Sequence, residues 1–174
     1  MISGVQFLCM KDIIIKTIKE TIDDYKDEFE LYDVHSCIMI CDAIDDALHA
    51  DYCNGVIPTR VRVAATLQKW IDDEDGFGIA SADADGWDDA DELVIYIAIE
   101  RPRPRKDKKL HEEIIKDCMP LLTSLVPMKK FVDTCDEGIS QFGGGDYFPH
   151  ESVGFFKFYK QSYYDNHKKF HGIV

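Results

Sequence analysis

HSCIMICDAIDDALHADYCNGVIPTRVRV, residues 35–63, changes its hydrophobic period partway through, and that change decides the fold class. In its first half Cys37, Ile40, Cys41, Ile44 and Leu48 recur three and four apart, so they share one face of a helix. The spacing predicts a helix over 36–49, with Asp33 or Ser36 able to cap it through a side-chain oxygen. NGVIP, 54–58, carries the Asn-Gly and Pro signals of a turn. Thr59, Val61 and Val63 then alternate with Arg60 and Arg62, which is the two-residue period of a half-buried strand. A strand over 57–65 follows.

The same reading extends in both directions. Upstream, Ile14, Ile18, Ile22, Tyr25, Phe29 and Tyr32 form one stripe of an amphipathic helix over 11–32, with Lys16, Lys19, Glu20, Asp23, Asp24 and Lys26 largely on the wet side. Downstream, LVIYIAI, 93–99, is an unbroken apolar run and reads as a buried central strand. Pro102 and Pro104 end it. Leu110, Ile114, Cys118, Leu121 and Leu125 predict a third helix over 110–125, which Pro120 bends or shortens. GGGDYFP, 143–149, is a loop, and VGFFKFYKQSYY, 153–164, has strand composition. The expected architecture is a single α+β domain, residues 1–174, with N-terminal helices packed on a mainly antiparallel sheet. The acidic segment 71–92 and the basic segment 101–109 are read as surface insertions.

Composition bounds the function. A chain of 174 residues has the length of one domain and buries enough surface to fold without cross-links. No apolar run approaches the roughly 18 residues of a membrane span, and MISGVQFLCMKDIII lacks the basic start of a signal peptide. The six cysteines (Cys9, Cys37, Cys41, Cys53, Cys118, Cys135) are unevenly spaced with no C-x-x-C. That pattern points to reduced thiols in the cytoplasm rather than a disulfide framework or a zinc ribbon. A net charge of −13 repels nucleic acid at long range and favours basic partners or cations. The charge is uneven. From Ile71 to Glu92 there are ten acids and no Lys or Arg, whereas RPRPRKDKK, 101–109, holds six bases in nine residues.

A cysteine at a helix N-terminus lies near unpaired N–H groups and the positive end of the helix dipole, which favours the thiolate. The order of Cys37, helix, turn and strand resembles the core of the transglutaminase-like and papain-like cysteine enzymes, over residues of about 33–100. The resemblance implies Cys37 as nucleophile, a histidine base and an Asp or Asn that orients it. In GWDDADELVIYIAI, 86–99, Asp91 and Glu92 stand where the family places its histidine at the start of a strand. His150 then supplies the base and Asn166 or Asp165 the orienting group, in the papain-like chain order. This is the enzyme alternative: a cysteine-dependent hydrolase or acyl-transferase, or else a degenerate form of that fold.

SADADGWDDADE, 81–92, partly follows the EF-hand loop. Asp83, Asp85, Gly86 and Glu92 fall at the third, fifth, sixth and twelfth places, so Asp83, Asp85 and Glu92 are the candidate Ca²⁺ ligands. Ser81 takes the first place, and Asp88 stands at the eighth, where an apolar residue normally packs. No other cofactor is indicated. His167 and His171, four apart, belong to a polar tail. The favoured reading is an acidic interaction or inhibitor-type protein. Asp72, Asp73, Glu74, Asp75, Asp88 and Asp89 would meet a basic protein surface, or occupy a nucleic-acid-binding site by presenting carboxylates in place of phosphates. Direct nucleic-acid or membrane binding is not expected.

Overall fold

A computed structural model describes residues 9–26, 34–73, 76–82, 92–100, 108–126, 131–142 and 151–160, with backbone alone at 68–73, 76–82, 108, 131–142, 151–152 and 160. The described elements run α1 (Met10–Tyr25), α2 (Val34–Cys53), β1 (Val61–Asp73), β2 (Gly76–Ala82), β3 (Glu92–Ile99), α3 (Lys108–Thr123), β4 (Phe131–Phe142) and β5 (Glu151–Lys160). The strands form one sheet in the order β2-β1-β3-β5-β4, and all four pairings are antiparallel. The α+β expectation holds, and 93–99 lies in the central strand.

The register explains where the core sits. Val61, Val63, Ala65 and Leu67 of β1 pair with Ile99, Ile97, Ile95 and Leu93 of β3. All eight are buried and share one face of the pleat. α2 packs on β1 across this face, α3 packs on β3 and β5, and α1 rests against both α2 and α3. Ile14 and Ile18 of α1, Ile40, Ile44 and Leu48 of α2, and Ile114, Ile115 and Leu122 of α3 complete the core. On the opposite face of β3, Glu92, Val94 and Ala98 are buried as well. A strand covered on both faces has no reason to alternate, which is why its sequence is a continuous apolar run.

Several boundaries differ from the sequence expectation. α2 runs on through Cys53 because its stop signal is Asn54–Gly55. Gly55 takes φ +72°, Gly55 N–H donates to Tyr52 O at 3.1 Å and Val56 N–H to Asp51 O at 2.8 Å. Those two bonds are a Schellman closure, and the left-handed residue it needs is glycine. Ser36 is the third residue of α2, inside the helix rather than at its cap. α3 turns His111 and Ile115 inward and leaves Leu110 exposed, so its apolar stripe is rotated from the predicted one. The helix continues through Pro120, which lacks the N–H that would bond Lys116 O, and ends at Thr123.

The larger correction concerns 71–92. It is not one surface loop: β1 continues through Asp73, 76–82 form β2, and Glu92 opens β3. β4 is likewise an element that composition did not announce. The parts of the predicted 11–32 helix and 153–164 strand beyond Lys26 and Lys160 lie outside the described residues, as do 143–149 and the tail.

Candidate functional site

The pairing of β1 gathers the acidic residues. β1 pairs with β3 only from Val61 to Gln68, while its pairing with β2 runs from Leu67 to Asp73. Among the described residues, positions 69–73 therefore have β2 as their sole strand neighbour. They form a two-stranded ribbon that continues about 17 Å past the first residue of β3. Asp72 and Asp73 stand at its far end, opposite Phe77 and Gly76, and Glu74 and Asp75 are the two residues joining the strands. Segment 83–91 leaves from Ala82, opposite Leu67, and returns at Glu92, opposite Gln68. The anchors of segment 83–91 thus lie where β3 begins, and Asp72 and Asp73 lie about 17 Å farther on in the same direction. The basic run 101–107 leaves from the other end of β3, about 23 Å away along eight residues.

Of the Ca²⁺ candidates, Asp83 and Asp85 lie outside the described residues, as do Asp88 and Asp89. Glu92 is fully buried as the first residue of the central strand. Among the described residues no group of three or more His, Cys, Asp or Glu converges on one point.

Of the cysteine-enzyme candidates, His150, Asp165 and Asn166 lie outside the described residues. Cys37 is the fourth residue of α2 and only 1% exposed, facing the core with Ile40, Cys41 and Ile44. Its neighbour one turn on, Cys41, has a thiol pushed well above the ordinary range, first by its hydrogen bond with the Cys37 sulfur and then by burial. Burial, with Asp117 beside it, pushes the Cys118 thiol up to about 12. Cys9, Cys37, Cys41, Cys53 and Cys118 are all free thiols. Iodoacetamide near neutral pH is therefore expected to alkylate Cys9 and Cys53 in the native protein, and Cys37, Cys41 and Cys118 only after unfolding. Mass mapping of the labelled peptides reads this directly. Fast native labelling of Cys37 would restore the cysteine-enzyme alternative.

The solvent side of α2 carries two polar arrangements that sequence reasoning missed. Asp45 accepts from Arg60 Nη2 at 3.1 Å and from the backbone N–H of Val63 at 2.9 Å, while Arg60 Nη1 donates to Val61 O. One turn later His49 Nε2 lies 3.5 Å from Cys53 Sγ, both side chains exposed. The signal for that contact is a His and a Cys four apart. It is visible only once the helix is carried past His49 to the Asn-Gly stop. The helix is acidic on this side. Partial burial, reinforced by Asp45 and Asp46, holds the Asp42 carboxyl above its ordinary value.

Comparison with protein-family models, curated proteins and solved structures returns no match. The likeness of residues 33–100 to transglutaminase-like and papain-like enzymes rests on the sequence pattern. No described helix is long and apolar enough to cross a membrane.

Proposed function

We propose that this protein is an acidic interaction module that docks a basic protein surface through the carboxylates attached at the β1–β2 end of its sheet. The observation that supports the reading is the strand register, in which Asp72 and Asp73 and the two anchors of segment 83–91, Ala82 and Glu92, all lie toward the end of the sheet where β3 begins, while the basic run follows the other end of β3. Ten acids in 22 residues without a base repel one another, and a cationic surface relieves that repulsion. A field concentrated at one end of a molecule also orients an approaching partner, which a uniformly acidic surface does not. A partner that ordinarily holds nucleic acid fits this chemistry, because closely spaced carboxylates occupy the positions of phosphates.

Replacing Asp72, Asp73, Asp83, Asp85, Asp88 and Asp89 by Asn removes six charges at nearly constant volume. Poly-L-lysine serves as the basic probe. Wild-type binding is expected to weaken steeply with salt, as the Debye length falls to about 3 Å at 1 M. The six-Asn variant is expected to keep the wild-type circular dichroism and to bind at least about tenfold more weakly at low salt. Equal binding by the two proteins would remove the proposal. A rise in melting temperature with Ca²⁺, seen in the wild type and absent from the variant, would assign the carboxylates to a bound ion instead.

A further inference from the structure

We draw no further inference here: the strongest candidate, the half-buried aromatic patch of Tyr96, Phe155 and Tyr159 on the face of the sheet opposite the helices, carries nothing because nothing among the described residues shows what covers it.

Discussion

Gly154→Ala is expected to destabilise the protein by about 2–3 kcal/mol. Gly154 lies on β5 opposite Ile97 of β3, under α3. A β-carbon there would run into Ile115 Cγ2, with Ile115 Cβ at 3.4 Å and Ile97 Cγ2 at 3.7 Å. Ile115 is fully buried, and its Cγ2 is a branch methyl fixed to Cβ rather than the free end of a long side chain. The clash is relieved only if α3 lifts from the sheet or Ile115 leaves its rotamer. Urea unfolding monitored by circular dichroism measures the loss. The double variant Gly154→Ala/Ile115→Ala supplies the control: if the clash is the cause, the two substitutions together cost less than the sum of their separate effects. Additive costs would mean that glycine is required at 154 for another reason.

Asp45→Ala is expected to cost about 2 kcal/mol and to promote self-association. Backbone groups of β1 point alternately to its two sides. Glu100 N–H donates to Arg60 O at 3.0 Å, so the even-numbered residues 60–66 face β3 and Val61, Val63 and Ala65 face away. β2 begins to pair only at Leu67, so among the described residues no strand meets the outer side of 61–66. Val61 C=O and Val63 N–H would stand open there, as on any sheet edge. They do not, because Arg60 donates to the first and Asp45 accepts from the second, while Arg60 and Asp45 also pair with each other. The pair is partly exposed, with 14% and 30% of the two side chains accessible, so screening keeps its value below that of a fully buried pair. Removing the carboxylate leaves Val63 N–H without its acceptor and loosens the guanidinium that covers Val61. Asp45→Asn retains an oxygen for Val63 and is expected to lose less than half as much. Chemical denaturation gives the stabilities, and sedimentation at rising concentration gives the association. Equal losses in the two variants would show that the charge pair, not the covered edge, is what matters.

How much of this was legible depends on what each element answers to. β3 was plain because burial on both faces imposes an apolar run on the sequence itself. α1 was plain because one wet face imposes the helical period, and Ile14 and Ile18 fall in the core as that period requires. β2, GFGIASA, was not. It is glycine-rich, and it is a strand because β1 pairs with it, which is information carried by another part of the chain. β4 was missed in the same way. The C-terminal turn of α2 was missed for a different reason. The apolar stripe ends at Leu48, but the helix ends at the backbone signal, Asn54–Gly55, and the His49–Cys53 contact lies between the two. The acidic character of 72–92 was evident from composition. That Asp72, Asp73 and the anchors of 83–91 lie toward one end of the sheet was not, because this follows from where β1 exchanges β3 for β2 as its neighbour.

The proposed function makes location, rather than total charge, the property that matters, and one comparison isolates it. Six acids attached at the β1–β2 end (Asp72, Asp73, Asp83, Asp85, Asp88, Asp89) are neutralised in one variant. In a second, six exposed acids on the helices (Asp12, Glu20, Asp23, Asp24, Glu113, Asp117) are neutralised instead, each Asp to Asn and each Glu to Gln. Both proteins then carry a formal charge of −7 in place of −13. Titration with poly-L-lysine at low salt is expected to show wild-type-like binding for the helix variant and at least about tenfold weaker binding for the sheet-end variant. Equal weakening in the two would mean that the protein attracts cations by net charge alone, and would contradict the assignment of a docking surface to this end of the sheet.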